Sequence, residues 1–458
     1  MNTPEWITRG VSMLRSAPRK GPDESAAGRA GRAKPPARST QERLKATLRR
    51  EEEALSPRVL RRLLGELQSI VDARVSEVEG GRRAQDVASW YAGAAPEERH
   101  DMWLLMSEQF VADPTKVQAA QAQYAAAVGT PDEAAAEVTY RRATVSPRRR
   151  LLQRFSAHPE GIRFLVDLRA ELQPHLKGDR RLLALDVEME YMFSTWFDVG
   201  FLDLQRISWD SPASLIEKLI RYEAVHDIRS WSDVKNRLDS DRRCYGFFHP
   251  RLPGEPLIFV EVALIDDMAA SITPLLDETA APANLAKATH AIFYSISNTQ
   301  LGLKGVSFGD SLIKRVVDAL KEEFPRLKTF ATLSPIPGLR AWLTRNAEPE
   351  LLKAWEPLPE PVDDTARAAL LRHAARYLCK ELKDGKPLDP VARFHLGNGA
   401  RVERINWAGD PSAKGLKQSY GLMVNYLYDL KKLDRHRAQL ALGKIPTAAA
   451  VGKPLTEA

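Results

Sequence analysis

The chain has 458 residues, 44% hydrophobic and 28% charged, which is enough for two or three cores and typical of a soluble, multi-domain protein. It contains no run of roughly 18 or more apolar residues and no apolar signal core, so neither a membrane partner nor secretion is expected. Two cysteines, Cys244 and Cys379, lie outside any CxxC pair, which argues against a disulfide framework or a cysteine zinc site.

The net charge of +7 is concentrated near the start, in "RSAPRKGPDESAAGRAGRAKPPARS". Gly, Pro, Ala and Arg dominate this stretch, so residues 1–38 are expected to form a disordered basic tail rather than a nucleic-acid reader. Acids interrupt it, which sets a cytoplasmic, bacterial-type location ahead of a mitochondrial leader.

Order is expected from Ser39, which stands in capping-box spacing with Glu42. From there to about residue 190, Ala-rich segments with apolar residues three and four apart break repeatedly at Pro or Gly. Residues 39–190 therefore predict an all-helical domain for packing or oligomerisation.

Near residue 200 the pattern changes. "FLDLQRISWDSP" alternates, and "SPASLIEKLIRYEAV" reads as a helix capped by Ser211 with Pro212 at its first position. Strands follow in "CYGFFHP", "EPLIFVEVAL", "HAIFYSISNT" and "LKTFATLS", each bounded by Pro, Gly or polar residues. The strongest helix, "DSLIKRVVDALKEEF", carries Leu312, Ile313, Val316, Val317, Leu320 and Phe324 on one stripe. Residues 191–440 thus predict a mixed α/β domain, with 441–458 as a flexible tail.

Between "AIFYSISNTQ" and that helix lies "LGLKGVSFGD". A glycine-containing turn at a helix N-terminus presents backbone N–H groups to an anion such as a pyrophosphate, and Lys304 adds a mobile charge. GxxxxGK[ST] and GxGxxG are both absent. A tight turn requiring small residues is the alternative.

The nine histidines, at 100, 158, 175, 226, 249, 290, 373, 395 and 436, form no HxH, HxxxH or HxxEH pattern, so no metal is expected. GxSxG is missing too. His395, in "FHLGNG", reads as a loop residue between an aromatic and a Gly-Asn-Gly turn, open to a structural or an acid–base role. Ser334, in "LSPIP", ends a strand just before two prolines, which push it towards an extended conformation.

Five stretches taken in order, "HPRLPGEPLIFVEVAL", "AIFYSISNTQLGLKGVSFGDSLIKRVV", "EEFPRLKTFATLSPIPG", "DPVARFHLGNGARVERINWAGD" and "SYGLMVNYLY", resemble the malonyl-CoA decarboxylase family across about residues 190–435. The resemblance implies a helical N-terminal domain and an acetyltransferase (GNAT)-like catalytic domain. It also implies conversion of malonyl-CoA to acetyl-CoA and carbon dioxide without metal or prosthetic group, and assembly as a homo-oligomer, commonly a tetramer. It places the catalytic pair on Ser334 and His395, and Tyr428 beside the malonyl group. The coenzyme A loop falls on Lys304, Gly305, Val306, Ser307, Phe308, Gly309 and Asp310. Where the family carries an acid and a glutamine this chain has Ser307 and Lys304, so Ser307 is assigned to binding alone. A coenzyme A-dependent acyltransferase is the competing expectation.

Overall fold

The computed structural model describes residues 38–51, 53–306, 308, 312–356 and 363–452. Helices fill the first part, from Thr40–Lys45 to Leu183–Trp196. Their starts follow from the sequence: Ser39 and Glu42 form the capping box, and Ser56, Ser76, Asp113 and Ser146 each accept a backbone N–H of the helix that follows. Pro57, Pro114 and Pro147 occupy first positions, where a missing N–H costs nothing.

The helical part runs through the boundary expected at residue 190, because the helix Leu183–Trp196 carries on before β1 begins. One apolar core extends from Leu60 and Leu67 in the helices to Val260 and Val424 in the sheet. The two parts therefore share their interior.

The main sheet is built from β1 (Asp203–Ile207), β2 (Arg242–Phe248), β3 (Pro256–Ile265), β4 (His290–Asn298), β5 (Thr329–Thr332), β6 (Ser334–Pro335), β9 (Arg401–Asn406) and β10 (Met423–Leu427), with β7 (Leu382–Lys383) and β8 (Lys386–Pro387) forming a separate hairpin. Its order is β1-β2-β3-β4-β5-β10-β6, with β9 also on β10. All pairs are antiparallel except β4–β5. That parallel pair needs a crossover, which the glycine loop and the helix Leu312–Glu323 supply. The helix buries Leu312, Ile313, Val316, Val317 and Leu320, the stripe read from its sequence.

Three local expectations are corrected. The helix after β1 starts at Ala213 with Pro212 at its cap, while the Ser211 hydroxyl accepts the Ser208 N–H instead. The segment "LKTFATLS" is split, because β5 ends at Thr332 and Ser334 begins β6 against β10. Residues 441–452 do not trail off: Thr447 bridges Val402, the Val402 N–H reaches the Pro446 carbonyl at 2.9 Å, and Val451 is buried. That short run covers the open edge of β9, which would otherwise expose unpaired backbone groups. The remaining expected tail residues, 1–37 and 453–458, lie outside the described residues.

Candidate active site

The β4–β5 pairing closes at Phe293 opposite Thr332, with a last bond from the Leu333 N–H to the Phe293 carbonyl at 3.0 Å. β4 continues to Asn298 on β3 without β5, and a register irregularity opposite Glu261 and Val262 bends it at this point. β6 meanwhile turns to β10, pairing Ser334 with Val424. The parted strands leave Ser334 at the tip of the sheet, between Thr332 and the two prolines.

His395 is not in a loop. It sits in the last turn of the helix Pro390–Gly397, started by Asp389, whose carboxylate accepts the Val391 and Ala392 N–H groups at 2.9 Å each. The Asp-Pro sequence is an N-cap followed by a first-position proline, the signal that outweighs the downstream glycines.

This helix brings His395 Nε2 to 3.2 Å from Ser334 Oγ and His395 Nδ1 to 2.7 Å from the Tyr428 hydroxyl. The ring stacks on Tyr426, centroids 4.8 Å apart. Ser334 Oγ donates to Thr332 Oγ1 at 2.9 Å, and the Tyr426 N–H donates to the same Thr332 oxygen at 3.1 Å. All five side chains are buried. Burial lowers His395 to about 3, keeping the imidazole neutral, and pushes Tyr428 well above the usual phenol range, keeping its proton.

Ser334, His395 and Tyr428, far apart in sequence, are thus one hydrogen-bonded group. Sequence reasoning missed Thr332, Tyr426 and Asp389. Thr332 lies two positions before Ser334, a spacing that shares a strand face, and Asp389 precedes a proline; those were the available signals.

The described part of the expected anion loop is held from the helical region. Buried Arg169 donates to the carbonyls of Gly302 at 2.8 Å and Lys304 at 3.0 Å, and to Asp186 at 2.8 Å. A side chain on Gly302 would meet the Val166 carbonyl at 1.9 Å, so only glycine fits. Gly305 has a φ of 85°, also a glycine conformation. With these carbonyls turned towards Arg169, the loop's fixed acceptors face the helices. Lys304 is exposed; Val306 and Phe308 are buried packing residues, and the Phe308 carbonyl accepts the Val199 N–H at 3.0 Å. Ser307, Gly309 and Asp310 lie outside the described residues. Among the described residues no group of three or more His, Cys, Asp or Glu side chains is placed to hold a metal ion, and no helix is long and apolar enough to cross a membrane.

Residues 200–458 match the model of the malonyl-CoA decarboxylase C-terminal domain, and residues 110–197 match that of the N-terminal domain. The chain belongs to the malonyl-CoA decarboxylase family. It is 39% identical over 334 residues to the mitochondrial malonyl-CoA decarboxylase of Anser anser anser, covering 63% of this chain and 65% of that protein. Against the Mus musculus mitochondrial enzyme it is 39% identical over 344 residues, covering 65% and 68%. The matched segment therefore spans about two thirds of these relatives' length. The crystal structure of malonyl-CoA decarboxylase from Rhodopseudomonas palustris matches with a TM-score of 0.78 and 41% identity, over 86% of this chain and 99% of that one. The structure of malonyl-CoA decarboxylase from Cupriavidus metallidurans matches with a TM-score of 0.68 and 42% identity, over 87% and 100%.

Proposed function

We propose that the protein decarboxylates malonyl-CoA to acetyl-CoA and carbon dioxide, using Ser334, His395 and Tyr428. The observation that carries this reading is the 3.2 Å contact between Ser334 Oγ and His395 Nε2 at the tip of the parted strands, in a chain of this family. Loss of carbon dioxide breaks one carbon–carbon bond and leaves its electron pair as a thioester enolate. The enolate then takes one proton, which solvent ultimately supplies. The site must hold the carboxylate out of the thioester plane, stabilise the developing oxyanion and deliver that proton.

Ser334, whose proton points to Thr332 in the free site, turns it to the malonyl carboxylate or the thioester oxygen when substrate binds, and His395 provides the proton for the nascent acetyl carbon. An incoming carboxylate favours the charged imidazole, offsetting the burial that disfavours it in the free site. Tyr428 holds Nδ1. No acyl group moves, so a covalent acyl-serine is not required. The loop from Lys304 to Asp310 binds the pyrophosphate of coenzyme A, with Lys304 as the mobile charge.

The deciding experiment is incubation with malonyl-CoA and no acceptor. Carbon dioxide and acetyl-CoA should appear in equal amounts. Acyl transfer that needs an added amine, without carbon dioxide release, would replace this reading with an acyltransferase.

A further inference from the structure

The Thr332 hydroxyl oxygen offers two lone pairs. The Tyr426 backbone N–H, which can only donate, takes one at 3.1 Å, and the Ser334 hydroxyl donates to the other at 2.9 Å. Thr332 is fully buried and its peptide is clamped, because its carbonyl accepts from Asn425 Nδ2 at 2.7 Å. The Asn425 amide cannot turn over: its oxygen accepts from Arg404 Nε at 3.1 Å and Asn406 Nδ2 at 2.9 Å, and its nitrogen also donates to the Ala269 carbonyl at 3.0 Å.

With its one proton committed to Thr332, Ser334 Oγ faces His395 with lone pairs alone. Two lone pairs repel, so Nε2 must carry a hydrogen. A neutral imidazole has one such hydrogen, which leaves Nδ1 bare to accept the Tyr428 O–H at 2.7 Å.

We propose that Thr332 is a positioning residue that fixes the direction of this chain, from Tyr428 through His395 to Ser334, so that His395 meets Ser334 as a hydrogen-bond donor. The inference rests on the decarboxylase reading for its chemical meaning. A serine nucleophile needs an adjacent base that accepts its proton, and here the bond runs the other way. The arrangement suits delivery of a proton outward past Ser334 rather than capture of an acyl group.

The test is ¹⁵N spectroscopy of the histidine rings in the full-length protein without substrate, with the His395 signals assigned by their loss in His395→Asn. The bare nitrogen of His395 should be Nδ1. Thr332→Val should shift the ring towards the other tautomer and lower kcat about tenfold, the weight of one hydrogen bond, with KM little changed. Thr332→Ser should restore both. A hydrogen on Nδ1 in the wild type, an unchanged spectrum and kcat in Thr332→Val, or failure of Thr332→Ser to restore them would each overturn the proposal. The wild-type spectrum decides the tautomer whether or not Thr332→Val folds. The expected tautomer in a protein that releases no carbon dioxide from malonyl-CoA would support the geometry and remove the decarboxylase reading instead.

Discussion

On the face of the sheet that carries Phe259 and Ala263, Glu261 is fully buried and accepts from Arg237 Nη1 at 2.9 Å. Arg237, itself fully buried, also donates to Asp233 at 2.7 Å and to the His226 carbonyl at 2.9 Å. The opposite face, with Val424 and Tyr426, buries a serine, a histidine, a threonine and a tyrosine. One face hides an arginine clustered with two carboxyl groups, while the other hides neutral groups, each able to give or take a proton. Ions locked together hold a fold in place and resist change. A neutral chain stands in reserve until a charged substrate arrives.

The largest effect should come from breaking the ionic face. Arg237→Met leaves Glu261 and Asp233 unpaired, and unfolding by denaturant should show a loss of about 3–5 kcal/mol, with near-normal kcat per folded molecule. A loss below about 1 kcal/mol would put this cluster on a par with surface ion pairs. Next, His395→Asn should lower kcat about a hundredfold or more, with KM and the unfolding midpoint little altered. Wild-type turnover would remove His395 from the chemistry, and a stability loss like that of Arg237→Met would erase the contrast between the faces.

Last comes the pH dependence of stability, whose slope is modest at any one pH and where the buried histidines and Glu261 carry opposite signs. His395, lowered to about 3 by burial, stays neutral in the fold while the unfolded chain gains a proton below about 6.5. Its contribution is full above that pH and falls as pH drops towards 3, by at most about 1.4 kcal/mol per unit. His226, lowered to about 4 by burial, acts in the same sense. Glu261, pushed up to about 7 by burial against the pull of Arg237, keeps a proton that the unfolded chain releases above its ordinary 4.5. Its contribution therefore falls as pH rises from about 4.5 to 7. The two trends offset between about 4.5 and 6.5, and below that window the histidines act alone. Denaturant unfolding at stepped pH should show a shallower acid limb in His395→Asn; an unchanged limb would mean that the imidazole titrates normally.

Much of this architecture was readable from local pattern. The apolar runs of β2 to β5 and the stripe of Leu312–Glu323 are properties of neighbouring residues, and so is the extended backbone that Pro335 imposes on Ser334. The resemblance named Ser334, His395 and Tyr428, and the structure brings them together. The helix around His395 was obscured because Gly397, Asn398 and Gly399 speak for a turn, while the Asp389–Pro390 start lies upstream. Thr332 was silent because its meaning depends on the Tyr426 N–H, 94 residues away, and a backbone donor leaves no mark on composition. The ion pair of Arg237 and Glu261 was equally hidden, since two charges in a chain that is 28% charged attract no notice until both are seen to be buried.

The join between Arg169 and the Gly302 carbonyl has a bearing on how the molecule is made. It spans 133 residues, and the helical partner leaves the ribosome first. The helices are then a template waiting for the loop, and the turn at Gly302 and Lys304 is finished only when the later segment docks on it. Expressed without its first 196 residues, the sheet would have to close that loop with no Arg169 to hold its carbonyls and no Val166 backbone to lean on. The amino-terminal half is, in that sense, an intramolecular folding assistant as well as a packing partner.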